Sequence, residues 1–431
     1  MRTLISFLLL GASLSSAAQL LSAEEAVRIT VEQNYGIKLA RLDARSAELL
    51  NSAGNAGMLP NVDAVGQYSL DNSSTKQTFF SGEVRERDNA DQRVLDAAVQ
   101  LNWTIFDGLA MFATKDRLEA LELIGQTRLR QRIEATTYEV LATYYQLVQF
   151  NKALDVQRES ARISIERLTI ANAAKNIGTA SGLQVVQARL DLSTDSAMVL
   201  DLRTRRATAM ARLNTLLGRD PSTPVDVVPE IPAAEPLDLA TLRGAARQAN
   251  STVQQARQQQ IAADLSVKEL RGALLPRVDI FANYGYAKST SAVGLLQSNQ
   301  SLGPDYGARI SVPLFRGFQA RSAMEVARLS REQAALTTRQ AELDLDESML
   351  NTWSAFGTAN ERVKLEEENL TGSRTQVDIA LESYRLGALT SVELRDVQLG
   401  LIAAQQRLIV ARFEAKLAEL QLKWLAGVLM R

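Results

Sequence analysis

Residues 384–398 read Tyr-Arg-Leu-Gly-Ala-Leu-Thr-Ser-Val-Glu-Leu-Arg-Asp-Val-Gln, and residues 175–189 read Lys-Asn-Ile-Gly-Thr-Ala-Ser-Gly-Leu-Gln-Val-Val-Gln-Ala-Arg. In each stretch a Gly (Gly387, Gly178) closes a very long apolar-periodic run, and three residues later a Thr or Ser (Thr390, Ser181) opens another. Gly enters the left-handed conformation that stops a helix, and a Thr or Ser oxygen accepts from the free backbone donors of the next helix start. Each stretch is therefore predicted to be the tip of a helical hairpin. No Pro interrupts the run before either tip, about 108–176 and 317–385. A continuous helix of that length would reach about 100 Å. The return helices are expected over 182–217 and 391–427. The second shows a heptad seam of alternating three- and four-residue steps: Leu394, Val397, Leu401, Ala404, Leu408, Ala411, Ala415, Ala418 and Leu422. That spacing specifies coiled-coil packing. Its twin runs from Val185 and Ala188 to Ala209 and Leu213, interrupted by Asp195 and Arg206.

The two tips belong to a longer repeat. Leu21, Asn34, Leu59, Pro60, Val62, Asp63 and Tyr68 recur at one constant offset as Leu237, Asn250, Leu275, Pro276, Val278, Asp279 and Tyr284. Phe106, Gly108, Gly178, Leu216 and Gly218 recur at a second offset as Phe315, Gly317, Gly387, Leu425 and Gly427. Two such series mark a duplication. The expected organisation is a signal peptide over 1–18, a first repeat over 19–218, a linker over 219–236 and a second repeat over 237–431. Each repeat runs helix, β-hairpin, two long helices, with the hairpins at 60–106 and 276–315 and the long helices at 108–217 and 317–427. Five of the nine prolines fall within the linker, which has no helical pattern.

The opening helices, 22–57 and 238–274, each end at Leu-Pro, where Pro disfavours helix for its predecessor. Alternation then takes over. Val62, Ala64, Gly66, Tyr68 and Leu70 share one face, and after a polar loop at about 71–93 the pattern resumes with Ala97, Val99, Leu101, Trp103 and Ile105. The second half repeats this with Val278, Ile280, Ala282, Tyr284 and Tyr286, a loop at 288–304, then Ala308, Ile310, Val312 and Leu314. Four strands of about ten residues, apolar on one face, suit a bilayer-crossing wall with Tyr68, Trp103, Tyr284 and Tyr286 in an aromatic girdle. The same alternation suits a soluble half-buried sheet. The strands alone leave two readings open: a membrane β-barrel, or a periplasmic coiled-coil structural or adaptor protein with soluble hairpins. If they lie in lipid, four strands cannot close, because membrane barrels begin at eight and open edges are forbidden there. The chains must then pool their strands, and three copies would supply twelve.

Composition narrows the chemistry. Forty-eight basic residues against 49 acidic ones argue against a nucleic-acid partner. With neither Cys nor His, cysteine nucleophiles, His bases, structural zinc and disulfides are excluded. No phosphate loop, metal-spacing cluster or nucleophile elbow appears, so neither a cofactor nor an enzymatic role is expected. Arg2, the apolar run Leu4–Leu10 and the small residues up to Ala18 compose a secretory signal. No later stretch approaches the ~18–20 apolar residues of a membrane helix.

Signal, duplicated helix–hairpin–long-helix order, Leu-Pro before the first strand, Phe-x-Gly after the second and Gly-x-x-Ser/Thr at the tips together resemble the TolC-like outer-membrane efflux proteins. The resemblance spans essentially the whole mature chain. It implies a mainly α fold with a transmembrane β-barrel portion. Three copies would build a twelve-stranded barrel in outer-membrane lipid and a long α-barrel across the periplasm. The tips Gly178, Ser181, Gly387 and Thr390 would dock on a periplasmic adaptor and inner-membrane pump and close like an iris. The function so implied is the exit duct of a tripartite efflux pump or type I secretion system. The family's constriction uses acids six and nine positions after the second tip Gly, here Glu393 and Asp396, and a Tyr three before it, here Tyr384. At the first tip the matching positions are Gln184 and Gln187, and Leu389 stands where a basic residue can occur, so the familiar polar lock is weakened or rewired. Gln184 is expected to accept a hydrogen bond from Tyr384 without the strength a carboxylate would give.

Overall fold

The computed structural model describes residues 20–293, 296–386 and 388–430; the expected signal peptide lies outside them. The chain forms α1 (Ala23–Gln33), α2 (Tyr35–Leu50), β1 (Asn61–Thr78), β2 (Val84–Phe106), α3 (Ala110–Asn176) and α4 (Gly182–Leu216). It then forms α5 (Leu239–Ala249), α6 (Ser251–Gly272), β3 (Arg277–Ser291), β4 (Ser298–Ser311), α7 (Gln319–Arg385) and α8 (Ser391–Leu425). The residues gather into two units. One holds the described residues up to Arg41, Leu129–Ser251 and those from Glu342 onward; the other holds Leu42–Arg128 and Thr252–Ala341.

The first unit is a helical assembly. Its core joins Ile29 of α1, Val140, Tyr144, Leu147 and Val148 of α3, and Leu213 and Leu216 of α4 to Val225, Val227 and Ile231 of the Pro-rich segment. That segment is packed. Leu21 pairs with it as a short parallel bridge at Val227, and the Tyr144 hydroxyl donates to the Leu21 carbonyl at 2.9 Å. Glu235 is held through its N–H by the fully buried Glu419 carboxylate and through its own carboxylate by Lys423. Seam positions Leu394, Ala404, Leu408, Ala411, Ala415, Ala418 and Leu422 of α8 are buried, as the heptad predicts.

The opening helices are broken, each at an Asn that recurs in the repeat. Asn34 ends α1 and Asn250 ends α5, both with extended backbone. Asn34 Nδ2 donates to the Leu216 carbonyl at 2.8 Å, and its Oδ1 accepts from the Ile37 N–H. Asn250 Nδ2 donates to the Leu425 carbonyl at 3.0 Å. One side chain thus satisfies an orphan carbonyl at a long helix's C-terminus, and Asn34 also starts the next short helix. The chain then turns at Gly218 and Gly427, with φ of 72° and 68°. A Cβ there would stand 2.7 Å from the Gln33 carbonyl oxygen and 2.8 Å from that of Ala249, so both positions require Gly.

The second unit carries the sheet. Its strands lie in the order β1-β2-β3-β4, all antiparallel, so the two hairpins are joined through β2 and β3. The strands run 18, 23, 15 and 14 residues, longer than the ten expected. The polar stretches read as loops at 71–93 and 288–304 are largely ladder, turning only near 79–83 and past Ser291. Ladder bonds are made by the backbone and need no apolar residues. Polar cross-strand pairs accompany the extension: Asn72 donates to Asp91 at 2.6 Å and Lys76 to Glu86 at 3.2 Å. The register aligns the apolar residues on one face, in rows such as Val62–Leu101–Ala282–Tyr306 and Ala64–Val99–Tyr284–Pro304. The opposite face carries rows such as Asp63–Gln100–Asn283–Asp305. The apolar face is uncovered: Val62, Tyr68, Val99, Tyr284, Leu302 and Tyr306 are all exposed.

Candidate functional site

The two tips are built alike. At the first, the Thr179 N–H donates to the Ala174 carbonyl at 2.9 Å across Gly178, whose φ is 79°. At the second, the Ala388 N–H donates to the Ser383 carbonyl at 2.9 Å. This five-residue span is the bond that closes a helix through a left-handed residue. Gly387, the expected stop of α7, lies outside the described residues.

Each return helix starts with a reciprocal cap. Ser181 Oγ accepts from the Gln184 N–H, and Gln184 Oε1 accepts from the Ser181 N–H at 3.2 Å. Thr390 Oγ1 accepts from the Glu393 N–H, while Glu393 Oε2 accepts from the Thr390 N–H at 2.8 Å and its hydroxyl at 2.7 Å. The Thr390 N–H, then the Thr390 hydroxyl, hold the Glu393 carboxyl below its ordinary value, because both donors favour the ionised form. The helix N-terminus favours the same charge. Glu393 and Asp396 are both exposed on α8, a pair of carboxylates within one turn.

Gln184 Oε1 is engaged in its own cap, and the hydrogen bond expected from Tyr384 is not made; Tyr384 stands 41 % exposed. Gln187 donates to Asp191 at 3.2 Å. Among the described residues no hydrogen bond joins Tyr384, Gln184 or Gln187 to Glu393 or Asp396. The hairpins are linked by residues outside that set. Arg167 of α3 pairs with Asp191 of α4 at 2.9 Å and reaches the Ser391 carbonyl, at the start of α8, at 3.5 Å. Arg395 of α8 pairs with Asp195 of α4 at 2.7 Å, both side chains buried. In the sequence Asp195 is a charge on an apolar seam, where it needs a partner. Nothing local identified Arg395 as that partner.

Among the described residues no helix is long and apolar enough to cross a membrane, and none of their acidic side chains cluster in threes as metal ligands would. The family model for outer membrane efflux proteins matches residues 26–219 and 242–428. The chain belongs to the outer membrane efflux protein family. Its two matched segments are separated by residues 220–241, which contain the Pro-rich stretch. The outer membrane efflux protein BepC of Brucella suis is 22 % identical over 327 residues, covering 74 % of this chain and 69 % of BepC. The alkaline protease secretion protein AprF of Pseudomonas aeruginosa is 22 % identical over 415 residues, 93 % of this chain and 83 % of AprF. The fold matches the CmeC outer membrane channel of Campylobacter jejuni with a TM-score of 0.82 at 13 % identity, over 94 % of this chain and 86 % of that one. As a member of that family the chain is an outer membrane efflux protein, mostly helical, with four antiparallel strands among its described residues.

Proposed function

We propose that this chain is the outer-membrane exit duct of a tripartite efflux pump or type I secretion system, assembled as a homotrimer. What supports this is the sheet: among the described residues it has four strands, one apolar face left exposed, and two open edges at β1 and β4. In lipid such edges must be paired, and only further strands can do it. Three copies pairing β4 of one with β1 of the next give twelve strands. The same element order in both halves, with Asn34 and Asn250 in matching roles, supports reading 19–218 and 237–431 as duplicated repeats.

The tips at Gly178–Ser181 and Gly387–Thr390 are the periplasmic entrance and dock a periplasmic adaptor that joins the duct to an inner-membrane pump. Glu393 and Asp396 face the pore there, with Tyr384, Gln184 and Gln187 around them. Three copies bring six carboxylates to one ring, which favours cations and repels anions. This role assigns the chain passage and gating, with no catalytic residue and no cofactor. Fractionation tests the assembly: the protein is expected in outer membranes and, in detergent, at three times the chain mass. Recovery as a soluble monomer would favour the periplasmic adaptor reading instead.

A further inference from the structure

The buried ion pair between Asp195 and Arg395 joins residues 200 positions apart. Asp195 Oδ2 accepts from Arg395 Nη2 at 2.7 Å, from Ser164 Oγ at 2.6 Å and from Ser160 Oγ at 3.1 Å; Oδ1 accepts from Gln157 Nε2 at 3.4 Å. Three helices therefore meet at one carboxylate: α3 through Gln157, Ser160 and Ser164, α4 through Asp195, and α8 through Arg395. Asp195 is saturated. Arg395 is not, since its Nε and Nη1 have no partner although both are buried.

Such a pair contributes little net stability over apolar residues of the same volume, but it permits one geometry where an apolar contact tolerates sliding and rotation. Its location gives that geometry a use. On a helix of 3.6 residues per turn, Glu393 and Asp396 lie about 60° apart and Arg395 lies about 160° from Glu393. Arg395 is buried while the two acids are exposed, so the ion pair grips the back of the turns whose front carries the acids.

We propose that Arg395, held by Asp195, is the positioning residue of the second tip: it ties the first turns of α8 to the first hairpin and sets the rotation that presents Glu393 and Asp396. The assignment rests on the reading of those two acids as the pore constriction. It supplies an inter-hairpin link that Gln184 and Tyr384 do not make in this chain. The Arg167 contacts with Asp191 and the Ser391 carbonyl brace the same junction one step closer to the tip.

The test is single-channel recording of the purified full-length protein in planar bilayers, with lanthanum ion as blocker and size-exclusion in detergent as the assembly check. Asp195→Asn is expected to raise conductance at least three-fold and weaken the lanthanum block at least three-fold. The reversed pair, Asp195→Arg with Arg395→Asp, should return both to within two-fold of the parent. Parental conductance and block in an assembled Asp195→Asn protein would overturn the proposal, as would a reversed pair that fails to restore them. Should Asp195→Asn not assemble, Asp195→Leu with Arg395→Leu takes its place, expected to assemble with the same loosened gate. Parental behaviour in that variant, or its failure to assemble, would refute the assignment. If Glu393→Ala with Asp396→Ala leaves ion selectivity unchanged, the constriction reading fails. If those alanines lower selectivity and Asp195→Asn changes nothing, only the positioning role fails.

Discussion

Asn34 and Glu393 each do two jobs with one short side chain. Asn34 donates to a helix end and accepts from a helix start. Asn34→Ala removes both bonds and leaves a buried Leu216 carbonyl unmet, at a cost of about 1–3 kcal/mol. Thermal unfolding should register the loss, and Asn250→Ala should lower stability in the same direction. Glu393 closes the cap at Thr390 and carries charge at the tip. Its folded pKa lies below the ordinary glutamate value of 4.5. With a depressed pKa, the ionised cap is fully present above the ordinary value and is lost only as pH falls through the lower folded value. The Thr390 cap should accordingly hold from neutral pH to 4.5 and loosen only below it, read as amide exchange at Thr390 and Glu393. Amide protection at the cap that is lost well above that value would contradict the assignment of Glu393 as its ionised acceptor.

At the scale of elements, the long helices were legible because heptads and tip residues repeat their signal along the chain. Seam residues such as Ala404, Ala411 and Leu422 are buried as the spacing requires. The pair Asn34 and Asn250 recurs in the sequence, but nothing local marks either as a helix break. An Asn within an apolar period is unremarkable until its carbonyl partner 182 residues away is known. The strand ends are hidden in the sequence for a different reason. Alternation is visible only where apolar residues mark a face, and 71–93 has few, yet its backbone pairs all the same. The Asp195–Arg395 contact shows the limit of local reading, since a charge on a seam predicts a partner but does not locate it. Arg395→Leu alone leaves the Asp195 charge buried without its cation and should destabilise the helical unit by about 3–5 kcal/mol. Replacing both residues with Leu should be close to neutral by the same argument, and chemical denaturation of the two variants separates these outcomes.

At the scale of the whole molecule, the sheet face decides what surrounds it. Val99 and Tyr306 lie on the exposed apolar face, and Gln100 and Asn283 lie on the other. If the first face meets lipid, Val99→Lys near the bilayer midplane costs about 2–4 kcal/mol and Gln100→Lys on the lumen side far less. Outer-membrane yields of the two variants should differ accordingly, whereas equal yields would place water on both faces. The strand count and the exposed face were readable from alternation. The rows that align four strands into one wall were not, because register between β2 and β3 joins segments more than 170 residues apart, such as Val99 and Tyr284. We propose a channel whose charge selection comes from the second tip. Reversal potentials of the purified protein in planar bilayers under a salt gradient test it most directly. The parent should prefer cations and Glu393→Ala with Asp396→Ala should lose most of that preference, while an unchanged reversal potential would place the constriction elsewhere.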